Sequence, residues 1–204
     1  MALVALQSDE RRALAGGGYA QLEDLWDSAV ADDLRREARV GWSSAAPPPD
    51  GPRTPVSEGR ARGRPTPVAT GPLLSRLHAD LVRVARAVSG QLLAPTFAVY
   101  GYFPFDDEVV LHRDTDATDV VLLTTVLGRV GPLRLHPELE DATNDELGRL
   151  ESDPAWDGAS GVPVTYPRLG VCAFRGRRIP HHRRGRPVAE LSAVAALHYR
   201  AVFR

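Results

Sequence analysis

Between residues 8 and 40 the apolar positions Leu22, Leu25, Trp26, Val30 and Leu34 recur three to four residues apart, with Asp and Arg between them. That period lines one face of a helix, so the stretch reads as an amphipathic helix pair packing on a core. Residues 44–71 have no period and are dense in Pro, Gly, Ser and Arg. Such a segment buries too little apolar surface to offset its own ordering, so an irregular surface loop or linker is expected, kept solvated by Arg53, Arg60, Arg62 and Arg64. Helical spacing then resumes. Pro72 sits in the first turn, Leu73, Leu77, Leu81, Val84, Ala85 and Val88 mark one face, and Gly90 stops the helix.

After Gly90 the period shortens to two, or gives way to short apolar runs: LLAPTFAVYGYF, EVVLHRD, DVVLLTTVLG, GPLRLHP, PRLGVCAF and AELSAVAALHYRAVF. Bounded by turn residues, these read as about seven or eight strands. An acidic insertion at 138–163 holds room for a short helix. Helices followed by a run of strands predict an α+β, mainly β protein: a sandwich or barrel with flanking N-terminal helices. Three parts are expected: a helical segment at 1–43, the loop or linker at 44–71, and a β domain at 72–204.

Composition narrows the chemistry. A chain of 204 residues, 43% hydrophobic and 25% charged, is ordinary for one globular domain, or one domain with an appendage. No apolar run approaches the 18 or so residues of a membrane span. The start, MALVALQSDE, lacks the basic region of a secretory signal, so a cytoplasmic protein is expected. The single cysteine, Cys172, excludes an internal disulfide and a multi-cysteine zinc site. All 25 basic residues are arginine, which removes Schiff-base and P-loop lysine chemistry. A net charge of −1 gives no reason to expect a nucleic acid or membrane partner. Six arginines and two histidines crowd between Arg175 and Arg186, but with no aromatics interleaved they read as a solvated loop.

One pair suggests a metal. His112 and Asp114 flank Arg113 at the end of a strand-like run, and on a strand residues i and i+2 share a face. An imidazole and a carboxylate so placed make two parts of a two-histidine, one-carboxylate set, which leaves positions open on Fe(II). The second histidine has to come from a distant strand, and His181 or His182 supplies it, seven or eight residues after Phe174. His136 reads as a turn residue and His198 as a packed or hydrogen-bonded core histidine. No hydrolase, dinucleotide or zinc-protease motif is present.

The order of these pieces over residues 73–204 resembles the Fe(II)/2-oxoglutarate-dependent oxygenases, in particular a prolyl-hydroxylase-like subgroup of the double-stranded β-helix (jelly-roll) fold. Tyr102, Asp107, His112 and Asp114 fall in VYGYFPFDDEVVLHRD, a Gly-Pro-Leu turn follows, RGRRIPHHR carries the distal histidine, and ALHYR closes the chain. The resemblance implies that His112, Asp114 and His181 hold Fe(II), His181 being preferred to His182 because it follows Ile179-Pro180. It also implies 2-oxoglutarate and O2 as cosubstrates and a small-molecule or peptide substrate that is hydroxylated or otherwise oxidised at a C–H bond. The family's usual arginine or lysine anchor for the cosubstrate carboxylate falls where this chain has Glu190, which would repel it. The replacement anchor is expected at Arg183 or Arg186, then Arg134, with Tyr100, Tyr102 and Ser192 as auxiliary donors. The alternatives are a cupin-like metal enzyme, an oxygenase that does not use 2-oxoglutarate, and a binding module with a degenerate site.

Overall fold

The computed structural model describes residues 18–45, 67–104, 108–184 and 190–203. Most of the expected loop at 44–71, and Arg186, lie outside these residues.

Among the described residues ten strands form two antiparallel sheets. The strands are β1 (Tyr19–Leu22), β2 (Val68–Ala69), β3 (Leu93–Phe103), β4 (Val109–His112), β5 (Val120–Leu127), β6 (Leu133–Leu135), β7 (Val162–Val164), β8 (Val171–Phe174), β9 (His181–Arg183) and β10 (Ser192–Ala201). The major sheet runs β1-β8-β5-β10-β3-β2 and the minor sheet β4-β9-β6-β7. This is a double-stranded β-helix, mainly β with helices flanking it. No helix among the described residues is long and apolar enough to cross a membrane.

Two helices, α1 (Ser28–Ser44) and α2 (Pro72–Ser89), cover the outer face of the major sheet. In α2, Pro72 is tolerated in the first turn because its missing N–H would be unbonded there anyway, and Gly90 ends the helix at φ +67°. The helix buries Leu74, Leu77, Leu81, Val84, Ala85 and Val88, each worth roughly 1–3 kcal/mol of apolar burial. Strand β10 alternates to match: Ala193, Ala195, Leu197 and Tyr199 join the helix-side core, which sends Val194, Ala196 and His198 into the space between the sheets.

Of the helical reading of residues 8–40, positions 8–17 lie outside the described residues, and among those described it holds from Ser28 onward. Tyr19–Leu22 instead pairs as a strand with β8, and the Asp27 side chain caps α1 by accepting from the Val30 N–H at 3.0 Å. Leu22, Leu25 and Trp26 do reach the same core as Leu34. Their helix-like spacing therefore records a shared destination rather than a shared helix.

The Glu37 carboxylate of α1 clips three elements together. It accepts from the Leu73 and Leu74 N–H groups at 2.7 and 2.9 Å, where α2 leaves its first amides unbonded, and from the Tyr100 hydroxyl of β3 at 2.6 Å. Gly71 makes room for it, since a Cβ there would lie 2.6 Å from the Glu37 Cγ.

The acidic insertion carries a short 3-10 turn at Pro137–Leu139 and the helix α3 (Asn144–Ser152). The helix opens with a capping box between Thr143 and Glu146.

Candidate metal centre

His112 ends β4 and is the register partner of His181 at the start of β9. Asp114 follows two residues later, its backbone N–H bonded to the Gly176 carbonyl at 3.0 Å. That bond joins the loop after β4 to the turn between β8 and β9. The three side chains meet between the sheets: the Nε2 atoms of His112 and His181 each lie 3.8 Å from Asp114 Oδ1, and one ligand atom from each residue falls within 4.8 Å of the others.

The hydrogen-bond pattern suits metal ligation. Nδ1 of His112 donates to the Val110 carbonyl at 2.7 Å, and Nδ1 of His181 to the Ile179 carbonyl at 3.0 Å. Each carbonyl fixes a tautomer in which Nε2 keeps its lone pair, as ligating histidines require. Asp114 Oδ2 is buried with no hydrogen-bond partner, an expensive condition for a carboxylate unless a cation is expected. Two imidazoles and one carboxylate on one side of a site form the donor set of non-haem Fe(II), with positions left open for other ligands.

Charge follows the same geometry. Burial opposes ionisation of Asp114, yet the neighbouring His112, His181 and His198 imidazoles hold its carboxyl below the usual range. Burial pushes the His181 imidazole down to about 4, keeping it neutral and able to ligate. For His112, burial is outweighed by the attraction of the Asp114 carboxylate, with the Val110 carbonyl adding to it, so its pKa is raised.

Alternation along β9 separates the adjacent histidines. His181 and Arg183 share the inner face. His182 turns to the outer face, where its Nδ1 lies 2.9 Å from His136 Nε2 and its ring packs on Trp156. The Arg183 guanidinium is 2% exposed, donates to the Tyr166 hydroxyl at 2.9 Å and sits 4.4 Å from the centre of the Phe103 ring.

The other expected donors are elsewhere. Tyr100 and Tyr102 project from the helix side of β3; their hydroxyls donate to Glu37 and to the Ala38 carbonyl at 2.6 and 2.7 Å. Neither reaches the space between the sheets. Ser192 bonds the Arg129 backbone, accepting from its N–H at 3.2 Å and donating to its carbonyl at 3.1 Å. Arg134 lies on the outer face of β6 and holds the Ala159 and Gly161 carbonyls at 2.9 and 2.8 Å.

Three residues at the site were not foreseen. Tyr166 sits in an irregular segment with no pattern to mark it. Gly176 carries no signal in the sequence that sets it apart. His198 is hydrogen-bonded as expected, but it faces the space between the sheets rather than the helix-side core.

No family model and no curated protein matches the chain. Solved structures do. A Pseudomonas putida prolyl-4-hydroxylase superposes with a TM-score of 0.64 at 14% identity, over 96% of this chain and 98% of that one. HygX from Streptomyces hygroscopicus, crystallised with nickel and 2-oxoglutarate, gives 0.66 at 16%, over 98% and 88%. EctD from S. alaskensis, crystallised with 2-oxoglutarate and 5-hydroxyectoine, gives 0.64 at 19%, over 97% and 77%. The chain has the fold of the Fe(II)/2-oxoglutarate oxygenases.

Proposed function

We propose that the protein is a mononuclear non-haem Fe(II) oxygenase that uses 2-oxoglutarate and O2 to hydroxylate or otherwise oxidise a C–H bond of a small molecule or peptide side chain. The observation that carries this reading is the convergence of His112, Asp114 and His181, with both imidazole tautomers fixed for ligation. Nε2 of each histidine and Oδ1 of Asp114 would hold the iron. Bound there, Fe(II) supplies the activation of O2 that side chains lack, coupled to oxidation of the keto acid.

Arg183 takes the part that Glu190 denies to the usual anchor position. It lies two residues along β9 from His181, about 6.6 Å of strand, and faces the same way. A guanidinium grips a carboxylate through paired N–H groups, and burial beside Phe103 and Tyr166 keeps water from competing. The far carboxylate of 2-oxoglutarate pairs with Arg183 while its keto acid end lies at the iron. This cation favours 2-oxoglutarate over an oxygenase that does without it.

The test is direct. Purified protein should bind about one Fe(II) per chain, by analogy with single-site ligation, and should release succinate from 2-oxoglutarate in the presence of O2 and a screened substrate. A chain that binds no divalent metal, or that consumes O2 without any need for 2-oxoglutarate, would overturn the reading.

A further inference from the structure

The inner face of the major sheet can be followed row by row from its register. One row is Phe97, His198, Val121 and Phe174; the next is Val99, Ala196, Leu123 and Cys172; the third is Gly101, Val194 and Thr125. Phe174 meets the His181 ring edge-on at 4.8 Å, so the first row lies at the metal centre. Phe103, further along β3, lies under Arg183. A ligand reaching from the metal centre to Arg183 therefore begins against the first row. In that row His198 is the one polar side chain.

The His198 ring is 5% exposed and stacks on Phe97 with centroids 4.0 Å apart. Its Nδ1 lies 3.0 Å from Thr118 Oγ1. Thr118 is 1% exposed, and its hydroxyl has no other hydrogen-bond partner among the described residues. Satisfying that hydroxyl requires it to donate to Nδ1, which leaves the proton of the neutral ring on Nε2. Among the described residues Nε2 has no hydrogen-bond partner, and the register sets the ring in one row with Phe174, which meets the His181 ring edge-on. An N–H donor on a largely buried ring thus stands on the row beside His181 with nothing among the described residues to receive it.

We infer that His198 Nε2–H is the donor that holds the metal-proximal carboxylate of a bound keto acid, opposite the end gripped by Arg183. This rests on the oxygenase reading and deepens it by assigning the near end of the same ligand. His198 is thereby a binding residue that sets affinity for the keto acid head, and the apolar second row receives the methylenes between the two carboxylates.

The probes are 2-oxoglutarate and pyruvate, which carries the same keto acid head and no distal carboxylate. Their affinities for the Co(II)-loaded full chain are read by calorimetry and by the visible absorption of the cobalt. His198→Phe keeps the stack on Phe97 and removes the donor. It should weaken both acids by the same factor, about 10-fold or more for a bond to a charged group, and leave Co(II) affinity in their absence unchanged. His198→Gln, whose amide returns an N–H near the Nε2 position, should recover most of the loss. Arg183→Met should weaken 2-oxoglutarate and spare pyruvate.

Unchanged affinities in His198→Phe would overturn the inference, as would a loss of Co(II) itself. If the Phe variant does not fold, Gln against Asn decides, since Asn mimics Nδ1 and places no donor at Nε2; equal binding by these two overturns it. Failure of the wild-type Co(II) protein to bind either acid would overturn the oxygenase reading along with it. Wild-type binding without a His198 effect would remove this inference alone.

Discussion

Replacing Gly176 with alanine probes the metal centre from the backbone side. A Cβ on Gly176 would lie 2.8 Å from Asp114 Cγ and 3.2 Å from its Cβ, and closer still to Oδ2, where real Cβ atoms stay beyond 3.0 Å. The two segments cannot simply part, because the Asp114 N–H is bonded to the Gly176 carbonyl at 3.0 Å. The carboxylate therefore has to swing away by about 1 Å or more, and a misplacement of that size at a reacting centre is worth about 100-fold in rate, or ~2.7 kcal/mol. Metal affinity should fall by about 10- to 100-fold, as it does when the groups orienting a ligand are disturbed. Overpacking should lower stability by only about 1–3 kcal/mol, so circular dichroism should report an intact fold. Calorimetric titration with Ni(II), beside succinate release by the iron-loaded protein, gives both numbers. A Gly176→Ala protein with wild-type metal affinity and turnover would refute the placement of Asp114 as a ligand.

Three other outcomes are expected. Arg183→Met should raise the KM for 2-oxoglutarate by about 10-fold or more through loss of a charge-assisted pair, with Ni(II) affinity unchanged; an unaltered KM moves the anchor elsewhere. Glu37→Ala removes the acceptor of three hydrogen bonds and should lower urea-unfolding stability by ~3 kcal/mol; a change under about 0.5 kcal/mol, the scale of an ordinary surface substitution, would show that water replaces the clip. Burial pushes the His181 and His198 imidazoles down to about 4, below the ~6.5 of an unfolded chain. The unfolded state then binds more protons in that window, so metal-free protein should keep its stability above about pH 6.5 and lose it as pH falls toward 4. Equal urea midpoints at pH 7 and pH 5 would contradict this.

Local signals were legible where one residue decides an outcome. Pro72 and Gly90 bracket α2 because one lacks an N–H and the other tolerates a positive φ. His112 and Asp114 could be paired because strand spacing puts them on one side. The direction of that side was not legible. Alternation groups Tyr100 with Tyr102, yet nothing in the pair says whether they face the helices or the opposite sheet, and Glu37, 63 residues upstream of Tyr100, settles it. Strand β1 was hidden because Leu22, Leu25 and Trp26 serve a core that a helix would also have reached. Arg183 could have been preferred to the other arginines from parity with His181 alone, whereas Gly176 acquires its meaning only when Asp114 arrives beside it from another part of the chain.

Strand β9 is three residues long, and each residue has a different task on a fixed side: His181 and Arg183 inward, His182 outward against His136. Gaining or losing one residue between Phe174 and His181 would shift the strand by one position against β4 and β6, and with a period of two every side chain would change sides. Both inward groups would be withdrawn at once, and the single imidazole taking their place would stand out of line with His112 and Asp114. Over evolutionary time the turn between β8 and β9 is free to change its residues, Gly176 and the buried Ile179 apart, but not its length. An alignment of active descendants of this chain should show substitutions across residues 175–180 and gaps nowhere within them.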